Sequence, residues 1–258
     1  MLDQPTSKIA GFDARPAHPF RTAASRASRR RTAAVRASAF CLNLLAGGVA
    51  SAGDGPAGRL AAEILAPAQA RARLADFRGA PASGDARQIA DWVIRTGDNR
   101  GAPFVIVDKK SAEVFVFNGG GRLSGAAPAL LGLARGDDTA PGVGNRDLAD
   151  IRPEERTTPA GRFVASRGQD LGDKDVLWVD YAAALALHPV LSASSREHRL
   201  ERLGAASPLD HRITFGCINV AASFYDHVVR PAFTGTSGVV YILPETKSLS
   251  EVFASSAS

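Results

Sequence analysis

Cysteine is scarce in this chain: 258 residues hold two, Cys41 and Cys217. So few thiols, with Cys41 inside the N-terminal apolar run that is expected to be removed, give no disulfide framework and no thiolate metal cluster, so neither a metal nor another cofactor is expected. Methionine occurs once, at Met1, and an internal start would need another codon, with Val35 one candidate. Long hydrophobic runs are missing too. The apolar run from Ala37 to Val49 is too short to cross a bilayer, so no stable membrane span is expected. Internal repeats are absent, which excludes solenoids and propellers.

What is present at the start reads as an export signal. Residues 1–36 carry eight basic residues against Asp3 and Asp13, the apolar run follows, and Ala50-Ser51-Ala52 closes it as a small-residue cleavage site. That order is a secretory signal peptide over residues 1–52, and it predicts an exported protein of the periplasm or cell envelope. Arg29 to Arg31 hint at twin-arginine export, but the hydrophobic consensus that should follow them is absent. The whole chain has 31 basic and 26 acidic residues; taking eight and two away with the leader leaves 23 against 24. The basic excess therefore belongs to the leader and gives no argument for nucleic-acid binding. Cys41 leaves with it, and Cys217 is the thiol that remains.

Residues 53–101 read as a linker rich in Ala, Gly, Pro and Arg with a short helical pattern at Leu60 to Leu74, then an amphipathic helix from Asp85 to Thr96 stopped by Gly97. From Pro103 the period becomes that of strands. Phe104 to Val107 and Glu113 to Phe117 form a hairpin, and residues 126–134, 161–165, 175–181, 182–190 and 238–243 add further strands. Two polar excursions, 135–155 and 191–210, interrupt them; long loops of this kind often serve as lids or binding loops. A helix is expected near Ala221 to Val229, and the Ser-rich residues 246–258 read as a flexible tail. The fold class is mainly β, a sandwich or barrel with one or two short helices and a small N-terminal helical segment.

Cys217 lies in the stretch Arg212, Ile213, Thr214, Phe215, Gly216, Cys217, Ile218, Asn219, Val220. Gly216 permits positive φ and a close approach to the backbone. A thiol just ahead of a helix would be favoured as thiolate. Two readings are open: a small buried apolar residue, or a nucleophile. Acyl chemistry on sulfur needs a base and N–H donors for the oxyanion. His188, at the end of an apolar strand, is the first candidate base, ahead of His198, His211 and His227.

Thr158-Pro159-x-Gly161, a histidine ending a strand, and Thr214-x-Gly216-Cys217-Ile218-Asn219 together resemble the catalytic domain of the L,D-transpeptidases, the YkuD-type cell-wall enzymes, over residues 102–245. The resemblance implies a YkuD-like β fold. Its cysteine takes an acyl group from the third residue of a peptidoglycan stem peptide as a thioester and passes it to an amine, in cell-wall cross-linking, remodelling or shape control. By position, Cys217 would be the nucleophile, His188 the base, backbone N–H groups around Gly216 and Cys217 the oxyanion donors, and Thr214, Arg212 and Asn219 the loop supports or carboxylate contacts. Carbapenem-type β-lactams would be inhibitors. Three features depart from the family: Phe215 stands where a histidine is usual, Pro189 follows His188 in place of glycine, and residues 191–210 lengthen the gap to the cysteine. A hydrolase on the same scaffold (an L,D-endopeptidase, carboxypeptidase or amidase) and a catalytically silent peptidoglycan-binding envelope protein are the alternatives.

Overall fold

The computed structural model describes residues 74–170, 172–190 and 197–253. The leader expected over residues 1–52 and all but the last residue of the helical pattern expected at Leu60 to Leu74 lie outside them. Nine strands are present among the described residues: β1 Phe104–Asp108, β2 Glu113–Phe117, β3 Leu123–Gly132, β4 Gly161–Gln169, β5 Asp175–Asp180, β6 Leu185–Pro189, β7 Arg212–Thr214, β8 Ile218–Val220 and β9 Gly238–Ile242. They hydrogen-bond in the order β2-β1-β9-β4-β5-β6-β8-β3-β7, and β2 also pairs with β3. Eight strands thus close a ring and β7 hangs on β3, so the expected mainly β architecture is the one observed.

Closure explains the patterning of β1, β2 and β9. On one face Val105, Val107, Val114, Val116, Val240 and Ile242 join Leu177, Leu187, Ile218 and Val220 in the main core. On the other, Phe104, Ile106, Phe115, Phe117, Val239 and Tyr241 form a second core. A strand buried on both faces reads as a continuous apolar run, which is what FVIV and GVVYI are. The second core is roofed by α1, Gly84–Thr96, through Ile89, Ala90 and Val93. Ser83 caps that helix by accepting from the Ala86 N–H, worth about 1 kcal/mol. Gly97 ends it at φ 68°, the left-handed value that glycine adopts without a Cβ penalty.

The structure holds more helix than expected. Arg199–Leu203 forms α2 inside the second polar excursion. Three segments, Ala222–Phe224, a π turn at Tyr225–Val229, and Arg230–Ala232, make up α3, whose Tyr225 and Val229 enter the main core. Leu249–Phe253 forms α4, and Phe253 is buried in the second core, so the part of the tail up to Phe253 is packed rather than frayed. Its first turn is fixed because Glu251 accepts from the Ser248 N–H and hydroxyl. The strand expected over 182–190 begins only at Leu185: the Asp180 carboxylate accepts from the Ala182 and Ala183 N–H groups and turns the chain first. The first excursion, 135–155, is three 3-10 turns at Val143–Asn145, Leu148–Asp150 and Pro153–Glu155. Among the described residues no helix is long and apolar enough to cross a membrane.

Candidate active site

Cys217 sits in the short loop between β7 and β8, and β8 lies between it and α3. The expectation that a helix N-terminus would favour its thiolate is corrected by that placement, since the helix field fades within one turn. The loop is held by threonines. The Thr214 hydroxyl donates to the Cys217 carbonyl at 2.7 Å and accepts from the Gly216 N–H at 3.1 Å. From the other side the buried Thr158 hydroxyl donates to the Gly216 carbonyl at 2.7 Å and accepts from the Gly132 N–H at 2.8 Å. Gly216 has φ 131°, and a Cβ there would lie 2.8 Å from the Thr157 carbonyl oxygen, so only glycine fits. Its N–H is taken by Thr214, so in this arrangement it is not directed at a substrate oxyanion.

β6 and β8 run parallel, with Leu187 opposite Ile218 and His188 opposite Asn219. His188 therefore lies beside the residue two past the cysteine. Its Nδ1 is 2.9 Å from the Pro189 carbonyl and its Nε2 is 2.9 Å from Asn219 Nδ2. The Cys217 thiol donates to the Ala184 carbonyl at 3.5 Å. The structure thus brings His188 and Asn219 onto neighbouring strands, with Cys217 in the loop that leads into the second, but engages the thiol and the imidazole with other partners.

Charge is disfavoured on both groups. Burial pushes the half-buried Cys217 thiol up, with the Ala186 backbone and the Arg199 charge opposing. Burial pulls His188 down; its bond to Pro189 opposes this, and the Arg199 charge adds to it. Burial thus favours the uncharged form of each group.

Beside the thiol is a cavity of about 20 Å³, room for one water, walled by Thr139 and Val143 of the first excursion, by Glu155, and by Ala184, Phe215 and Cys217. Glu155 is an anion fixed in place, drawn down to about 2 by hydrogen bonds from Arg146 and Arg152. The Arg156 guanidinium stacks 4.0 Å from the centre of the Phe215 ring, so the position where a histidine was expected carries an aromatic face covered by a cation.

Arg212 is not at the thiol. Its guanidinium donates to Glu245 at 2.6 Å and to the Lys109 carbonyl at 2.9 Å, inside the protein, so the carboxylate it meets belongs to the chain. Lys109, wholly buried, donates to Asp137 at 2.7 Å and to the Gly136 and Thr158 carbonyls. This cluster holds the residue that pins Gly216. Sequence reasoning passed over it because a lysine after a strand looks like a solvated turn. Reasoning also passed over Arg199, whose Nη1 donates to Asn219 Oδ1 at 2.5 Å, because nothing local marks a charged excursion as folding back on the site. Among the described residues no group of three His, Cys, Asp or Glu side chains is placed to hold a metal ion.

No family model matches the chain, and no curated protein does. Among solved structures, it is similar to an L,D-transpeptidase from Mycobacterium tuberculosis H37Rv at 14% identity, with 55% of this chain and 57% of that one covered and a TM-score of 0.34. The helical cell shape determining protein Pgp2 from Campylobacter jejuni is similar at 17% identity, with 57% and 49% covered and a TM-score of 0.39. An L,D-transpeptidase from Xylanimonas cellulosilytica is similar at 14% identity, with 55% and 61% covered and a TM-score of 0.36. The chain spans about half to three-fifths of the length of these solved chains.

Proposed function

We propose that this chain is an exported cysteine acyltransferase of the L,D-transpeptidase type acting on peptidoglycan stem peptides. Cys217 sulfur attacks the carbonyl carbon of the third stem residue, its proton passes to His188, and the C–N bond to the fourth residue breaks as that proton goes to the leaving amine. The thioester is then opened by an acceptor amine, which restores the thiol. The observation that carries this reading is the loop itself. The backbone that carries the thiol is held by two threonines and a glycine that cannot be replaced, and it leads directly into the strand paired in parallel with the one that bears His188. A core cysteine kept only for packing needs none of that apparatus.

A specific observation favours a second reading, a catalytically silent peptidoglycan-binding envelope protein: the thiol sulfur faces the Ala184 carbonyl at 3.5 Å, and neither imidazole nitrogen is free for it. One experiment decides. Residues 53–258 are incubated with defined disaccharide-tetrapeptides, with and without an acceptor amine, and products are read by mass spectrometry. Loss of the fourth residue with cross-linked product supports transfer, loss with only the tripeptide supports the hydrolase, and no turnover with thiol labelling independent of His188 supports the silent protein.

A further inference from the structure

Asn219 stands between Arg199 and His188, and the chemistry of those neighbours leaves its amide one orientation. A guanidinium only donates, so the amide atom 2.5 Å from Arg199 Nη1 is the oxygen. The amide nitrogen then faces His188 Nε2 at 2.9 Å. An amide nitrogen also only donates, so Nε2 accepts and carries no proton. The ring proton is therefore on Nδ1, where the Pro189 carbonyl accepts it at 2.9 Å. Protonating Nε2 would set N–H against N–H. Relief would require the amide to turn over, which would place its NH₂ against the guanidinium.

We propose that Arg199 is a positioning residue which, acting through Asn219, fixes His188 as the neutral Nδ1–H tautomer and opposes imidazolium formation until Arg199 and Asn219 part. Arg199 is anchored for this by its Nε, which donates to Glu197 at 2.6 Å. The other charges facing the ring are Asp170 and Lys174, from the turn between β4 and β5, which act on it in opposite directions; the Cys217 thiol belongs to the loop that leads into the neighbouring strand. A base held neutral can accept the thiol proton only if Asn219 releases Nε2, so parting of Arg199 from Asn219 precedes the acylation step. That consequence rests on the function proposed above; the tautomer does not.

The test is nitrogen NMR of the His188 ring in the folded protein, followed from pH 8 downward without substrate. Wild type should show Nδ1 protonated and Nε2 bare, with titration displaced to low pH. Arg199→Met should give a mixture of both tautomers and move the titration midpoint to higher pH. Arg199→Lys, which keeps one donor for Oδ1, should restore the wild-type pattern. Asn219→Asp, which can only accept, should move the proton to Nε2. A wild-type ring protonated on Nε2, or an Arg199→Met ring unchanged from wild type, overturns the proposal. Because the shifts are read without turnover, a failed tautomer assignment and an absent transferase activity are told apart.

Discussion

Two polar networks flank the cysteine loop, and they are built in opposite ways. On one side Lys109, Asp137, Arg212 and Glu245 are sealed from water and multiply bonded. Asp137 accepts from Lys109, from the Glu245, Thr246 and Lys247 N–H groups and from the Thr246 hydroxyl. Burial would raise its pKa, but these bonds together hold it well below the ordinary carboxylate range. On the other side Arg199, Asn219 and His188 form a chain joined by single hydrogen bonds, one link to the next. Redundancy makes the first network a frame, because no single thermal break releases anything. The second is poised, since breaking one bond changes which atoms are free to act.

The comparison breaks first at Cys217. Cys217→Ala should abolish both thioester formation and any covalent adduct with a carbapenem, while leaving the unfolding midpoint close to wild type. Intact mass and urea unfolding read the two quantities. Persisting adduct would place the chemistry elsewhere.

Lys109→Met should do the reverse. It leaves Asp137 charged and the Thr158 and Gly136 carbonyls without their donor, a loss of about 3–5 kcal/mol in urea unfolding. Replacing Asp137 at the same time should not restore stability, because the backbone N–H groups it serves would then be orphaned. If Lys109→Met instead changed thiol reactivity at unchanged stability, the division into frame and site would fail.

His188→Ala should slow carbapenem acylation of Cys217 by about 10²- to 10⁴-fold, the usual contribution of a positioned base. It should also flatten the pH profile of stability. His188 has its pKa depressed in the fold, so near and below the ordinary value of about 6.5 the unfolded chain binds a proton that the folded one does not. Its contribution is complete above that value and is lost as pH falls toward the folded pKa. Thermal melts from pH 8 to 5 should show this acid-side loss in wild type and less of it in His188→Ala; equal profiles would mean the ring is not held neutral.

The frame and the site were legible in the sequence to different degrees. Short apolar runs and turn residues disclosed β1, β2 and β9, and helical periodicity with its stop at Gly97 disclosed α1, because each is decided by local burial and caps. Thr214, Gly216 and Cys217 were legible as a unit since they are neighbours in the chain. Arg212 was placed in the right stretch, but its partner Glu245 is 33 residues away, and only the fold shows that Arg212 points into the frame. Arg199 and the buried state of Lys109 were illegible for the same reason. Their bonding partners, Asn219 for Arg199 and Gly136, Asp137 and Thr158 for Lys109, are distant in the chain, and a charge destined for burial looks in sequence like any solvated one.

The smallest expected effect lies at an edge of the cysteine loop that belongs to neither network. Phe215 lies under Arg156, whose guanidinium also donates to the Ile151 carbonyl, so this contact ties the end of the first excursion to the cysteine loop. Phe215→Leu keeps an apolar side chain and removes the ring, and should cost about 0.5–1 kcal/mol with little change in adduct rate. Phe215→His is more telling. A neutral imidazole can still lie under the guanidinium, whereas an imidazolium beside Arg156 is repelled, so the new histidine should have a depressed pKa. The variant should then be close to wild type above about pH 6.5 and lose stability progressively below it. Thermal melts of Phe215→His and Phe215→Leu across that range would show it: parallel curves would mean that Arg156 swings away, and that this edge of the loop is held by Thr158 and Thr214 alone.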